Sequence, residues 1–305
     1  MFQVIRVDSR RAEAIEPLGT KRKFWFREDA RRLLFKAEER GTGEDWAEKI
    51  ACELCRLLGL PHIHYELAQE SDGEKPGVVC ENCAPPPVSL VLGNQLLLER
   101  DPAYPAEQDR KYKIREHTVQ AVADVVGRLA PPAAIWMTGV PGGIQTALDV
   151  FVGYVLLDAW IANQDRHHEN WAALRDVDNT LRLAPTFDHG ASLARNISDE
   201  ERQERLTTKD RNRTVGHFVR RASSAFYASI EDAKPLGTLE AFFAFAKLVP
   251  NAARAWREHL ESVKIEQVRS ILGEVPPHRM SGIAREFTLA LLVENQERLM
   301  KGVLA

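Results

Sequence analysis

The sequence predicts an α+β protein with two lobes, a small strand-rich N-terminal lobe and a larger, mainly helical C-terminal lobe. The clearest break is Ala-Pro-Pro-Pro at 84–87, because consecutive prolines stiffen the backbone and remove hydrogen-bond donors, as in a linker. Strand patterns and one amphipathic helix precede this break, and helical patterns dominate after it. We therefore expect lobes at 1–87 and 88–305, with a ligand-binding cleft between them.

The overall composition argues against a membrane protein and against a general nucleic-acid binder. The chain has 305 residues, of which 44% are hydrophobic and 28% charged, and a net charge of −3. A charge so close to neutral gives no overall attraction to nucleic acid or to a membrane surface. The longest apolar run, Phe151–Ile161, contains Asp158 and is too short to span a bilayer. The N-terminus also lacks the apolar segment of a signal peptide, so we expect a soluble, cytoplasmic protein.

The N-terminal lobe is predicted to be a set of strands around one helix. Residues 14–36 suit two or three strands, the last of which, Arg31–Lys36, ends in a lysine. Apolar residues at a 3.6-residue spacing then predict an amphipathic helix over 44–58, which Gly59 ends. Further strands are predicted at 62–67 and 77–83.

The C-terminal lobe is predicted to be helical apart from one hairpin-like segment, Trp171–Asp188. A dense mixed-charge stretch, Glu201–Arg213, is typical of solvated surface, and the alternative for it is a substrate-docking segment. The predicted helices are 115–129, 145–163, 238–245, 253–263 and 281–303.

Two Cys-x-x-Cys pairs raise the question of a zinc site. Cys52 and Cys55 lie in the predicted helix, and Cys80 and Cys83 lie in the last strand before the prolines. A spacing of three puts the first pair on one side of the helix, where cysteine packs as a small hydrophobic residue. We therefore favour buried thiols over a four-cysteine zinc site. A disulfide is not expected in a chain without an export signal.

A dense polar stretch, Asn163–Asn170, directly follows the buried helix predicted at 145–163. A predicted hairpin separates this stretch from another acidic residue, Asp188. Because the outer ends of hairpin strands meet, the side chains of Asp165, Asn170 and Asp188 are expected to converge. The sequence thus predicts a cluster of oxygen ligands at one end of the hairpin.

Transfer of a phosphoryl group requires such a cluster. Mg²⁺ prefers carboxylate, amide and phosphate oxygens, and a separate aspartate must accept the proton of the attacking hydroxyl or orient that hydroxyl. Protein kinases place this aspartate five residues before a metal-binding asparagine, and a second metal-binding aspartate further along the chain. Asp165 and Asn170 are five residues apart, and Asp188 follows the hairpin. The spacing therefore indicates kinase chemistry.

A lysine in the N-terminal lobe would complete such a site. Lys36 ends a predicted strand, and Glu48 follows twelve residues later, near the start of the helix. We expect an ion pair between Lys36 and Glu48 that holds the lysine toward the α- and β-phosphates of a nucleotide.

Three stretches of the chain resemble HipA-like serine/threonine kinases, which are related in fold to protein kinases and phosphatidylinositol 3/4-kinases. They are 34–61, 158–171 with a D-R-H-x-x-N core at 165–170, and 183–190. The resemblance covers about residues 19–192 and implies a bilobal protein-kinase-like fold.

The resemblance also implies roles for individual residues. Asp165 would be the catalytic base, Lys36 would contact the phosphates of ATP, and Asn170 and Asp188 would bind Mg²⁺. The other nucleotide-contacting residues would be Glu48 beside the lysine, Gly19, Thr20 and Lys21 in a phosphate-covering loop, and Glu81 and Cys83 in the adenine-facing hinge.

The activity implied by the resemblance is that of an ATP- and Mg²⁺-dependent kinase. It would transfer the γ-phosphoryl group to a hydroxyl, first of all a Ser or Thr hydroxyl of a protein substrate. A lipid or small-molecule kinase is the alternative within enzymes, because the D-R-H-x-x-N motif does not separate it from a protein kinase. A pseudokinase-like regulatory binding protein is the alternative from another class, and the sequence argues against it because no member of the catalytic set is missing. The resemblance further implies an antitoxin-like partner, with nucleic acid contacted only indirectly. The acceptor, the partner and the oligomeric state do not follow from these residues.

Overall fold

The computed structural model describes residues 1–15, 22–71, 75–107 and 113–303. Its strands are β1 Val4–Val7, β2 Ala12–Ile15, β3 Lys23–Glu28, β4 Arg31–Ala37, β5 Tyr65–Glu70, β6 Pro76–Glu81, β7 Ser89–Leu92, β8 Ala172–Arg175 and β9 Leu181–Leu183. Its helices are α1 Glu44–Leu58, α2 Gly93–Arg100, α3 Val119–Val126, α4 Ala147–Trp160, α5 Asp199–Thr207, α6 Val215–Arg220, α7 Thr238–Ala246, α8 Pro250–Ser262, α9 Ile265–Glu274 and α10 Gly282–Lys301. This strand-rich first part and helical second part confirm the predicted α+β fold class.

The first six strands form one sheet in the order β1-β5-β6-β4-β3-β2. The pair β1–β5 is parallel, and the other neighbours are antiparallel. Along β4, Leu33 and Phe35 pack into one apolar cluster, whereas Leu34 packs into another together with Cys52 of α1. Because side chains alternate between the faces of a strand, Lys36 lies on the same face as Leu34, toward α1.

Helix α1 begins and ends at the residues that the sequence predicts, and glycines mark both ends. Gly43 and Gly59 have φ angles of 85° and 67°, in the left-handed region that glycine adopts without steric cost. A β-carbon at Gly59 would overlap the carbonyl oxygen of Gly139. The segment that contains Gly139, before helix α4, therefore packs closely on the end of α1.

Helix α4 is the centre of the C-terminal lobe. Almost every side chain along it is buried, which explains why it is apolar on all sides rather than amphipathic. Thr146 and Asp149 form a capping box at its N-terminus. The indole nitrogens of two tryptophans bind backbone carbonyls across the core, Trp160 to Leu292 at 3.1 Å and Trp256 to Asp149 at 2.7 Å. Within the described ranges, no helix is both long enough and apolar enough to cross a membrane.

Several elements were not predicted, and helix α5 illustrates the reason. It lies in the charged stretch for which solvated surface was favoured, and it has no apolar periodicity that would announce a helix. Its N-terminus is capped by Ser198, whose hydroxyl accepts from the backbone N–H of Glu201 at 3.2 Å. One turn further on, Arg205 pairs with Glu201 at 2.7 Å, a spacing that stabilises helices.

A buried ion pair joins the start of α1 to the C-terminal lobe. Arg279, from the segment between α9 and α10, contacts the carboxylate of Asp45 at 2.6 Å, and both side chains are less than 5% exposed. The same guanidinium donates to the carbonyl oxygen of Ala68 at 2.8 Å and to the side chain of Gln69 at 2.7 Å. One arginine thus links α1, β5 and the C-terminal lobe.

Replacing Arg279 by methionine is expected to lower the free energy of unfolding by about 3–5 kcal/mol, because it leaves the buried carboxylate of Asp45 without its partner. Chemical denaturation of the purified protein measures the change. Lys301→Met is the control: its pair with Glu297 is 2.8 Å long but largely exposed, so little change is expected. Equal effects of the two substitutions would contradict the role of the Asp45–Arg279 pair.

Candidate active site

The loop between α4 and β8 is anchored by a buried arginine. The guanidinium of Arg166 donates two hydrogen bonds of 2.8 Å to the carboxylate of Asp158 in α4. Its remaining nitrogen donates to the carbonyl oxygen of Asn170 at 2.7 Å and to that of Phe187 at 3.5 Å. Arg166 is 1% exposed, so water does not compete for these contacts. One side chain therefore fixes this loop and the backbone that leads into Asp188.

Asp165 and Asn170 are held together within this loop. The side-chain nitrogen of Asn170 donates to the carbonyl oxygen of Asp165 at 2.7 Å. The backbone N–H of Asp165 donates to the side chain of Asn163 at 3.1 Å. His167 lies with Nε2 3.4 Å from the Asp165 carboxylate and accepts from the backbone N–H of Glu169 at 3.1 Å, so its ring packs inside the loop.

Asp188 lies on a constrained turn after β9. Its φ of 59° is in the left-handed region, which costs a residue with a side chain about 1–3 kcal/mol and persists where surrounding contacts hold it. The turn is held on both sides. His189 Nε2 lies 2.9 Å from the hydroxyl of Thr186, and the backbone N–H groups of His189 and Gly190 donate to Glu48 at 2.9 and 3.1 Å.

Lys36 meets Asp188 across the cleft. Its Nζ lies 3.3 Å from the Asp188 carboxylate and 3.2 Å from the hydroxyl of Tyr65. Burial favours the neutral amine, but the charges of Asp188 and Glu48 outweigh it and hold the pKa of Lys36 well above its ordinary value. Lys36 is therefore a cation that faces an acidic site.

The expected ion pair between Lys36 and Glu48 is not formed among the residues that the structure describes. Both carboxylate oxygens of Glu48 instead accept from the backbone after Asp188, and Lys36 pairs with Asp188 itself. Burial favours the neutral acid, but the nearby Lys36 charge and the hydrogen bond with His189 lower the pKa of Glu48. The glutamate is thus a buried anion that positions the Asp188 turn.

These residues border a cavity of about 850 Å³ between the lobes. Its wall includes Lys36, Glu48, Glu81, Cys83, Asp165, Asn170 and Asp188. Burial raises the pKa of Cys80, which also lines the cavity, to about 12, so this thiol forms a neutral part of the wall. The predicted phosphate-covering residues Gly19, Thr20 and Lys21 lie outside the described residues.

Sequence reasoning missed a second arginine in this region. Arg195 donates to the carbonyl oxygen of Gly190 at 2.5 Å and pairs with the carboxylate of Glu44 at 2.5 Å. It also contacts the hydroxyl of Thr42. These contacts join the segment after Asp188 to the first turn of α1. No spacing rule links Arg195 to Glu44, because the two residues are far apart in the sequence. Asp158, the partner of Arg166, had a visible signal, since it is an acidic residue inside an apolar run.

The four-cysteine zinc site is not formed among the described residues. The cysteines are free, three of them buried and Cys83 partly so, as the favoured interpretation expects. Cys52 packs with Leu34 of the sheet, and Cys55 packs into the larger core that α1 shares with α4. The pair Cys80 and Cys83 lies beside the cavity.

Two solved structures are similar to this chain over nearly all of its length. A proinflammatory kinase of Helicobacter pylori, CtkA, has 19% sequence identity and a TM-score of 0.69, with 99% of this chain and 100% of that chain covered. HipA from the HipA–HipB toxin–antitoxin complex with operator DNA of Shewanella oneidensis has 11% identity and a TM-score of 0.58. The match covers 94% of this chain but 65% of that HipA chain.

By sequence, no protein-family model and no curated protein matches this chain. The structural similarity nevertheless confirms the expected resemblance at the level of fold. The chain therefore has a kinase fold, shared with the structures of CtkA and HipA.

Proposed function

We propose that this chain is an ATP- and Mg²⁺-dependent kinase that transfers the γ-phosphoryl group to a hydroxyl. The observation that carries the proposal is the convergence of four groups on one cavity. Lys36 comes from the sheet, Asp165 and Asn170 come from one loop, and Asp188 comes from a second loop. Phosphoryl transfer depends on positioning and charge stabilisation, and these groups supply both.

Asn170 and Asp188 are the residues that would hold Mg²⁺. Asn170 uses its side-chain nitrogen to bind the backbone of Asp165, so its amide oxygen can serve as a ligand, and Asp188 offers a carboxylate. One or two protein oxygens together with substrate phosphates are usual for Mg²⁺. When bound, this ion would offset the negative charge that develops on the phosphate oxygens.

Asp165 and Lys36 act on the two sides of the transferred group. Asp165, held by its backbone N–H and carbonyl, would accept the proton of the attacking hydroxyl. Lys36 would bind nucleotide phosphates through its ammonium group. That group also donates to the hydroxyl of Tyr65, which would help to orient it. Glu81 and Cys83 border the same cavity, where their backbone groups would contact adenine.

A Ser or Thr hydroxyl of a protein is the acceptor that we propose. This step rests on the resemblance and on the kinase activity named for the H. pylori structure. The similar HipA structure is a complex with HipB and operator DNA. By analogy, we propose an antitoxin-like protein partner for this chain, through which any contact with DNA would be indirect.

Substituting asparagine for Asp165 or Asp188 is expected to reduce phosphoryl transfer by on the order of 10²–10⁴-fold, because each change removes a carboxylate that acts on the reacting groups. The assay follows label from γ-³²P-ATP into the protein itself or into proteins of a cell lysate. The control is Asp178→Asn, the same change at the exposed turn of the β8–β9 hairpin, which should leave the rate unchanged.

The assay separates the alternatives. Label that moves into lipid or a small hydroxyl compound, rather than protein, would replace the acceptor while keeping the kinase. A thermal shift with nucleotide but no transfer from any preparation would favour a regulatory binding protein. If neither nucleotide binding nor transfer occurs, the proposed function is wrong.

Glu48→Gln is expected to raise the Mg²⁺ concentration needed for half-maximal activity by about 10–100-fold, the usual effect of losing a group that orients a metal ligand. The amide has one acceptor oxygen for two backbone N–H groups, so the Asp188 turn is held less firmly. Steady-state rates over a range of Mg²⁺ concentrations measure this. Glu99→Gln, on the exposed face of α2, is the control. An unchanged Mg²⁺ requirement in Glu48→Gln would refute the positioning role.

A further inference from the structure

We propose that Cys52, His62 and His64 form a binding site for Zn²⁺ or a similar transition-metal ion, separate from the cavity between the lobes. Among the described residues, these three are the group of cysteine, histidine and acidic side chains whose ligand atoms lie within 4.8 Å of one another. Tetrahedral zinc bonds of about 2.0–2.3 Å place ligand atoms roughly 3.3–3.7 Å apart. The Sγ of Cys52 and the Nδ1 of His64 are 3.7 Å apart, so small side-chain movements would close the site.

Each histidine already has the second contact that metal-binding histidines need. The Nδ1 of His62 lies 2.6 Å from the carbonyl oxygen of Leu60, which leaves Nε2 as its ligand atom. The Nε2 of His64 lies 2.7 Å from the carboxylate of Glu66, which leaves Nδ1 facing the cysteine. Metal-ligating histidines almost always donate their other ring nitrogen to a carbonyl or carboxylate, because this fixes the tautomer and the ring orientation.

The surroundings of Cys52 suit a metal-bound thiolate. The backbone N–H of Tyr65 donates to its sulfur at 3.4 Å, which stabilises negative charge there. A cysteine, histidine and glutamate in a row could also form a nucleophile. Cys52, however, is 1% exposed and so has no approach for a substrate, whereas a metal ion would sit on the side of the imidazoles.

The donor set and its exposure decide the class of metal. One thiolate and two imidazoles select Zn²⁺ and related ions over Mg²⁺ and Ca²⁺, which prefer oxygen. The side chain of His64 is 46% exposed, so a fourth position would open to solvent. Two basic side chains, Arg56 and Lys49, lie near the site and would repel a cation. Arg56 Nη2 is 3.3 Å from His64 Nδ1, and Lys49 is 2.9 Å from Glu66. Arg56 is 58% exposed and also pairs with Glu53, so it can turn away.

The site joins elements that also shape the cavity. Cys52 lies one turn after Glu48 in α1, and His62 forms a backbone bridge with Thr186, just before Asp188. The backbone N–H of Ile63 donates to Thr186 at 3.0 Å. A metal ion at this point would therefore tie α1 to the segment that leads into Asp188.

Metal binding is tested on the full chain after removal of metal with a chelator under a thiol-free reductant. Zn²⁺ is titrated against a coloured competing chelator, and Co²⁺ is used to detect the charge-transfer absorption of a cobalt–thiolate bond. We expect one ion per chain, with a thermal shift that grows with Zn²⁺ concentration. Absence of both stoichiometric Zn²⁺ binding and the cobalt–thiolate band would overturn the proposal.

Variants identify the ligands. Cys52→Ser should abolish the cobalt–thiolate band. His64→Gln changes a side chain that is about half exposed, and it should weaken Zn²⁺ binding by on the order of a hundredfold. Glu66→Gln should weaken it by about 10–100-fold. Cys83→Ser and His278→Gln are the matched controls and should bind as the unaltered chain does. A band that persists in Cys52→Ser, or unchanged affinity in His64→Gln, would show that the metal is bound elsewhere.

Arg56→Ala provides a test in the opposite direction. Its guanidinium faces the ligand nitrogen of His64, so its removal should leave Zn²⁺ binding as tight as before or make it tighter. Weaker binding in Arg56→Ala would contradict the proposed geometry. Asp188→Asn should retain the site, because that carboxylate borders the cavity and not the histidines.

Discussion

The buried pair between Arg166 and Asp158 is the interaction on which the candidate site depends. Asp158 belongs to the buried core helix α4, so the pair fixes two loops relative to that helix. The guanidinium then reaches the carbonyl oxygens of Asn170 and Phe187. Burying two charges is costly, and the cost is met only when geometry and additional hydrogen bonds are good. Here four oxygen contacts on one arginine satisfy that condition, and they bring separate loops into one arrangement.

The N-terminal lobe meets this arrangement at the Asp188 turn. Glu48 binds the two backbone N–H groups that follow Asp188, and Lys36 binds its carboxylate. The turn is thus held by Arg166 from the C-terminal lobe and by Glu48 and Lys36 from the N-terminal lobe. These contacts hold Asp188 in its left-handed backbone conformation. The position of Asp188 is therefore a property of both lobes together.

Local patterns predicted much of the fold, and tertiary contacts account for what they missed. Helix α1 followed from its apolar spacing and its terminal glycine, and the convergence of Asp165 and Asn170 on one cavity followed from their spacing. The partner of Lys36 was predicted wrongly. The spacing favoured Glu48, but the carboxylate of Glu48 accepts from backbone N–H groups, and Lys36 pairs with Asp188. Charged helix α5 has no apolar stripe to reveal it. The grouping of Cys52 with two histidines arises only when β5 packs beside α1.

The way in which α1 is attached limits how far this helix can move. Its first turn is joined to Arg279, its last residue is followed by the contact between Gly59 and Gly139, and residues such as Ile50 pack into the same core as α4. A helix fastened at both ends and along its length cannot swing outward as a rigid body without breaking a buried ion pair and opening the core. Displacing α1 as a rigid body would therefore be energetically expensive. Because Glu48 lies on this helix, its position beside the Asp188 turn is fixed by contacts to both lobes.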